Sequence, residues 1–362
     1  MKRDFFLIGL LFVLASFVFY LYIYLQHGEL MSVYKAWDGP SYVLAAISLY
    51  QPQIASDNNF INSVAITPEF TFLPAHFPLY PLLIRAFSFL GYFRASVLIS
   101  LLFSLFCYFA FYQLLQDLKI KQALWVVLPF IFIPPRWFIV SHTGSSEPIF
   151  IFFLLMSLRY FLNHRFVSSA SLAALAQLVR PQGALLGLGF LLVAIYQLIK
   201  TRDLKKIIST YYPYLLIPVA LVLVFTFYYF QTGNFWAFFD AISIFHHFRL
   251  ELFPVFKWPG ENVETFWQEV NVFNYVFYLA AILSLLKNVK LRAFGLIAIP
   301  FFLPLIFLQH SDISRYGLPL VPFAYLALAP YLLSPVFTLA TLLTSPAVFR
   351  YAATFISLNR AI

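Results

Sequence analysis

The chain has 362 residues, 62% of them hydrophobic and 10% charged, with a formal net charge of +9. A soluble domain carries roughly 25% charged residues, so this composition excludes a soluble globular protein. The apolar runs are continuous rather than alternating, which excludes a transmembrane barrel and points to an all-α polytopic membrane protein.

In chain order, "MKRD" precedes an apolar run from Phe5 to about Leu25. That run is too long for the apolar core of a signal peptide and lacks a small-residue cleavage site, so it reads as a first transmembrane helix acting as signal anchor. Further helices are expected near 96–116, 123–141, 148–163, 167–179, 183–200, 208–230, 271–286, 293–308, 318–333 and 336–356. Several are shorter than the about 20 residues a span needs, giving a bundle of about ten transmembrane helices. With the N-terminus in the cytoplasm, the cytoplasmic connections become "DLKIKQ", "NHRF", "KTRDLKK" and "KNVKLR". All are short and basic, as the positive-inside rule requires. The positive charge is therefore topology, and no nucleic-acid partner is expected. The other side receives the first loop, 26–95, then "SHTGSSEP", "RPQG", the loop 231–270 and "QHSDISRYG". With them go Asp38, Glu147, Asp240, Asp312, His76, His142, His246, His247 and His310. No polar stretch is long enough for a separate soluble domain, so residues 1–362 are read as one transmembrane domain. The single cysteine, Cys107, lies in an apolar run and excludes an internal disulfide.

The first loop carries "YKAWDGPSYVLAA", with Lys35, Trp37 and Asp38 ahead of Gly39-Pro40. Val43, Leu44, Ile47 and Tyr50 then share one helical face, which predicts a short amphipathic helix at the membrane interface. Asp38 has two readings, a helix cap or a catalytic base. In "AHFPLYPLLIR", His76 precedes a proline-punctuated entry into a short helix. "SHTGSSEP" brings His142 and puts Glu147 at a helix start, where Ser145 or Ser146 could cap and Glu147 is either a dipole partner or a second functional carboxylate. In "AQLVRPQG", Gln177, Arg180 and Gln182 surround a helix break. Arg180 there either holds a phosphate or carboxylate or snorkels to the interface. Arg136, after Pro134-Pro135, has the same two readings, and for Arg159 snorkelling suffices. Adjacent His246 and His247 point about 100° apart on a helix, and the chain has no H-E-x-x-H or C-x-x-C spacing, so no metal ligand is assigned. "QHSDISRYG" offers His310, Asp312, Arg315 and Tyr316, with Arg315 spaced to pair with Asp312. Aromatic content is dominated by 46 phenylalanines, which suit packing and lipid contact rather than a sugar platform.

Taken together, "WDGPSYVLAA", "HFPLYPLLIR", "SSEPIFIFF", "RPQGALLG", "TGNFWAFFDA" and "RYGLPLVPFAYLALA" resemble, in order, the motifs of GT-C glycosyltransferases. The similarity is closest to the PIG-V type, the second mannosyltransferase of GPI-anchor assembly, and its prokaryotic relatives. It extends from about Tyr34 to Pro330. The resemblance implies a GT-C-like bundle, an essential acidic residue in the first extracytoplasmic loop, matched by Asp38, and a sugar donor on a polyprenyl phosphate. The chain departs from the family in lacking a soluble C-terminal domain and in having His76 where many relatives carry an aromatic residue.

The residues suit that chemistry. Inverting transfer needs a base to take the acceptor's hydroxyl proton. Asp38, with Glu147 as second candidate, would serve, its weak basicity raised by partial burial. The departing lipid phosphate needs fixed cations or donors, for which Lys35, Arg180, His310 and Arg315 are available. Trp37, His76, His142, Gln182 and Tyr316 complete the expected substrate-binding set. The expected partners are a polyprenyl-phosphate sugar, a lipid or glycan acceptor and membrane lipids; no cofactor is expected. The expected location is a prokaryotic cell membrane with an outward site, or an endoplasmic-reticulum membrane with a lumenal one. The alternative is a lipid or sugar transporter or flippase, which would put ionisable groups near the bilayer midplane and show internal repeats.

Overall fold

The computed structural model describes residues 2–57, 70–243, 248–257, 265–310 and 312–358. The paired His246 and His247, and Arg360, lie outside the described residues. The architecture is helical; among the described residues β pairing amounts to one isolated antiparallel bridge, Phe248 with Leu308.

A long helix, α1 (Lys2–His27), leads into short pieces: α2 (Met31–Tyr34), α3 (Gly39–Ser48), α4 (Pro52–Asp57), a 3-10 segment (Phe70–Ala75) and α5 (Leu79–Ala86). The middle of the chain forms α6 (Tyr92–Asp117), α7 (Ala123–Phe130), α8 (Pro135–Ser141), α9 (Glu147–Leu162), α10 (Phe166–Val179) and α11 (Gly183–Thr201). There follow α12 (Leu204–Tyr211), α13 (Leu216–Thr232), α14 (Ala237–Ser243), α15 (Thr265–Lys287), α16 (Arg292–Ile306), α17 (Ile313–Tyr316), α18 (Val321–Leu332) and α19 (Pro335–Ser357).

Every segment expected to be helical is helical, though 208–230 passes through a 3-10 segment (Tyr212–Leu215) between α12 and α13, 318–333 opens with another (Leu318–Leu320), and 123–141 is broken outright. The expected helix 123–141 is two helices, α7 and α8, meeting at 73°. Pro134 and Pro135 explain the break: neither has a backbone N–H, and Pro135 occupies the first turn of α8, where proline is tolerated. Among the described residues six helical stretches are long and apolar enough to cross a membrane, with α12 to α13 (Leu204–Thr232) counted as one, or seven if the bent pair is one span. The expected count of about ten also took in shorter helices such as α10 and α16.

Side-chain contacts give the helix directions. Tyr112, late in α6, donates to Asp4, early in α1, at 2.7 Å, so these helices are antiparallel. Ser100, in the first half of α6, donates to Ser145 O just before α9 at 2.8 Å. Near the other ends of the same two helices, Arg159 donates to Asp117 at 2.8 Å, so α6 and α9 run parallel. The Arg159 pairing replaces the snorkelling expected for it. α10 starts beside the end of α9, through Ser157 and Ser169, and α11 returns antiparallel after the break at 180–182. Arg292 then donates to Tyr196 near the end of α11 at 2.7 Å. The basic connections thus share one end of the bundle. α19 crosses from that end, where Thr338 bonds Trp125 O, to the opposite one, where Phe355 packs 5.1 Å from Trp37.

Two close backbone approaches shape that opposite end. Gly144 lies against Gly39, where a Cβ would meet the Gly39 Cα at 3.4 Å and Ser96 Oγ at 2.8 Å. This draws the start of α3 onto the loop before α9. At the α10–α11 break, a Cβ on Gly183 would sit 2.3 Å from Gln177 Cα. Gly183→Ala is therefore expected to destabilise by more than the about 1–3 kcal/mol of ordinary overpacking, read as a lowered melting temperature. An unchanged melting temperature would show that the two helix ends part freely.

α3 forms where the sequence placed it, but it is more enclosed than its spacing suggested. Gly39, Pro40, Tyr42, Val43, Leu44, Ala45, Ala46 and Ser48 are all buried. The cause is local: Tyr42 bonds Ser146 and Ser48 bonds back to Leu44 O, so its polar side chains find partners inside the protein.

Candidate functional site

At the end opposite the basic connections, side chains far apart in sequence meet in one ionic cluster. Its centre is Arg315 in α17. Arg315 Nη2 donates to Asp38 Oδ2 at 2.6 Å, and its Nε donates to Glu147 Oε1 at 2.6 Å. Arg180 Nη1 reaches the same Glu147 oxygen at 2.9 Å and donates to Ser146 Oγ at 2.8 Å, while its Nε donates to Gln182 Oε1 at 3.1 Å. Ser146 Oγ also bonds Tyr42 OH at 2.6 Å. On the far side of Asp38, His76 Nε2 stands 3.9 Å from Oδ1. Two carboxylates and two guanidinium groups are therefore interleaved, an arrangement that satisfies buried charge.

The two carboxylates differ in access. The Glu147 side chain is only 3% exposed and the Asp38 side chain 32%. An incoming molecule can therefore reach Asp38 and not Glu147, although Glu147 Oε2 has no hydrogen-bond partner among the described residues.

The capping reading of Asp38 is corrected. Asp38 occupies the N-cap position of α3 but makes no side-chain cap bond. Its carboxylate is turned instead to Arg315, whose full positive charge and fixed donor fork hold a carboxylate more strongly than a single backbone N–H does. Nor does Ser146 cap α9; its hydroxyl joins Arg180 to Tyr42. The expected rise in the Asp38 pKa is reversed. Burial alone pushes the carboxyl up, but the Arg315 guanidinium and the neighbouring His76 together hold it well below the usual carboxylate range.

The expected Arg315–Asp312 ion pair does not form. Asp312 caps α17 by accepting the Arg315 backbone N–H at 3.2 Å, and its carboxylate pairs with Arg136 Nη2 at 2.9 Å. The capping turn directs the Arg315 side chain away from Asp312 and towards Asp38. Arg136 is buried, with its guanidinium over the Phe355 ring at 3.9 Å and near the Trp37 ring at 5.5 Å. Neither Arg180 nor Arg136 snorkels.

The remaining expected residues divide. Trp37 packs beside the cluster on Phe355, and Gln182 belongs to it through Arg180. His310 and Tyr316 flank it: His310 Nδ1 accepts the Asp312 N–H at 2.9 Å, and the two rings are 5.0 Å apart. Lys35 ends α2 on the approach to Asp38. His142 is not part of the cluster. It is fully buried, bonded to Ser16 Oγ at 2.9 Å and Phe138 O at 2.7 Å, and packed among Phe12, Phe19, Tyr20 and Phe138. It ties α1 to α8. Sequence reasoning missed Tyr42, Ser146, and the pair Tyr50 and Tyr228, whose hydroxyls both donate to His76 O, at 2.6 and 3.1 Å. Among the described residues no group of three or more His, Cys, Asp or Glu side chains converges as a metal site.

No family model and no curated protein matches the chain. Among solved structures the fold is similar to that of ArnT from Cupriavidus metallidurans, a crystal structure bound to undecaprenyl phosphate. The TM-score is 0.57 at 15% identity, over 88% of this chain and 60% of that one, so the chain spans less than two thirds of that protein. The fold is thus an all-α polytopic bundle of the kind seen in ArnT.

Proposed function

We propose that the protein is a GT-C-type membrane glycosyltransferase that moves a sugar from a polyprenyl phosphate to a hydroxyl of a lipid-linked or glycan acceptor. The observation that carries this reading is the partly open Asp38 carboxylate gripped by Arg315, in a fold similar to one solved with undecaprenyl phosphate bound. The motif resemblance supports mannose as the sugar and the PIG-V type as the nearest kin.

In the proposed reaction the acceptor oxygen attacks the anomeric carbon from the face opposite the phosphate, inverting it. The new C–O bond forms as the bond from carbon to phosphate oxygen breaks, and the polyprenyl phosphate leaves with that electron pair. Asp38 takes the hydroxyl proton. Arg315 and Arg180 receive the phosphate charge as it develops. Glu147, enclosed between them, orients the two guanidinium groups and takes no proton. A phosphate drawing Arg315 towards itself would also loosen the grip on Asp38 and make that carboxylate a better base.

The test is direct. The purified protein is mixed with a short-chain polyprenyl-phosphate mannose and a panel of lipid and glycan acceptors. Acceptor-dependent release of polyprenyl phosphate is expected; a protein that binds undecaprenyl phosphate but releases none with any polyprenyl-phosphate sugar is not this enzyme.

The reading includes an orientation, with the basic connections cytoplasmic and the ionic cluster on the outer side. Ser145 is a poor reporter because it is buried and bonded to Ser100. Glu29 and Thr201 are exposed on opposite ends, and the native Cys107 is buried. A cysteine replacing Glu29 should react with an impermeant thiol reagent in intact cells, and one replacing Thr201 should not. The reverse pattern overturns the orientation.

A further inference from the structure

We infer that Arg136 is a positioning residue that sets the Arg315 guanidinium on Asp38, although it touches neither; the inference rests on the proposed transferase reading and deepens it. Arg136 stands where three separate parts of the chain meet. Its Nη2 pairs with Asp312 Oδ1 at 2.9 Å, with both side chains almost fully enclosed. The same Asp312 oxygen accepts the backbone N–H of Arg315 at 3.2 Å, so the pair anchors the turn from which Arg315 projects. The guanidinium face lies over Phe355 of α19 and faces Trp37, the residue before Asp38. One side chain thus braces both partners of the Arg315–Asp38 contact.

The cost of placing it there points to a purpose beyond packing. Arg136 Nε and Nη1 are buried without a hydrogen-bond partner among the described residues. A buried cation left partly unsatisfied is expensive, and an apolar side chain of similar size often fills such a site at equal or better stability. Trp37 has a backbone φ of +46°, a conformation unfavourable for a bulky side chain. The surrounding structure holds it there, against Arg136 and Phe355. Aromatic stacking and a directed fork are what a guanidinium supplies and an ammonium does not, so lysine is the informative substitution.

The test measures undecaprenyl phosphate affinity of the full-length, detergent-solubilised protein for Arg136→Lys, Asp312→Asn and Arg315→Lys, and for Arg136→Lys combined with Arg315→Lys. If Arg136 acts through Arg315, each single variant weakens binding about tenfold, and the double variant is no weaker than the worse single one, the signature of coupled residues. Independent roles would multiply to about a hundredfold and overturn the inference. So would wild-type affinity in both Arg136→Lys and Asp312→Asn. Should Arg136→Lys fail to fold, Asp312→Asn combined with Arg315→Lys supplies the same comparison, because asparagine keeps a helix-capping side chain of similar rank. Wild-type protein that does not bind undecaprenyl phosphate at all would instead overturn the donor assignment of the proposed function.

Discussion

Asp38→Asn is expected to lower sugar transfer by roughly 10²–10⁴, the usual worth of a positioned base, while leaving a folded protein that still binds undecaprenyl phosphate. The substitution keeps the shape and one acceptor oxygen for Arg315 but removes the charge and the capacity to take a proton. Because Asp38 makes no cap bond, Asp38→Ala has no capping loss to confuse the comparison, and the two variants should be similarly slow. A monodisperse Asp38→Asn protein that transfers at the wild-type rate would sink the catalytic assignment. Glu147 would then be the remaining carboxylate, against its 3% exposure.

The pH dependence adds an independent check. Arg315 and His76 outweigh burial and hold the Asp38 carboxyl below its ordinary value. A carboxyl depressed on folding contributes stability that is present above the unfolded pKa of about 3.9 and is lost as pH falls through the folded value. The wild type should therefore lose melting temperature on acidification through that window, and Asp38→Asn should lose less. Equal acid sensitivity in the two proteins would mean that the Arg315–Asp38 contact is not maintained in solution.

Much of the fold was legible because the bilayer forces it. A backbone in hydrocarbon must satisfy its own hydrogen bonds, so each apolar run could only be a helix, and the basic connections reported the alternation of sides. The break at Arg180-Pro181 was legible for the same reason. Its meaning was legible in kind, a cation holding a phosphate or carboxylate, but not that the carboxylate is Glu147. What sequence could not give was partner choice. Spacing favoured Arg315 with Asp312, yet the capping turn points the Arg315 side chain away, and the Asp312 oxygen that accepts the Arg315 N–H also pairs with Arg136, which lies far away in sequence. His142 looked like a site residue because a histidine beside a polar loop resembles one. Only the packing against α1 reveals it as a bonded core residue. Ser146 and Tyr42 were hidden because a serine before a helix reads as a cap and a tyrosine on an apolar face reads as packing.

Arg315→Met should produce the second large effect, a fall in transfer of about 10²–10³, together with a change in pH profile that identifies the cause. Asp38 faces Arg315 and His76 directly, with Tyr42, Glu147 and Tyr316 also in its field. Removing Arg315 leaves His76 still lowering the Asp38 pKa but takes away the guanidinium, so burial and the negative charge of Glu147 count for more and the pKa rises. The acidic limb of activity should therefore move to higher pH in Arg315→Met. Arg315→Lys should move it less, because an ammonium can reach one carboxylate but not bridge two as the fork does. Arg180→Lys is the control: Arg180 touches Glu147, Ser146 and Gln182 but not Asp38, so it should cut the rate and leave the limb in place. A rate loss in Arg315→Met with an unmoved limb would restrict Arg315 to the donor phosphate. An unmoved limb with an unchanged rate would take Arg315 out of the site altogether.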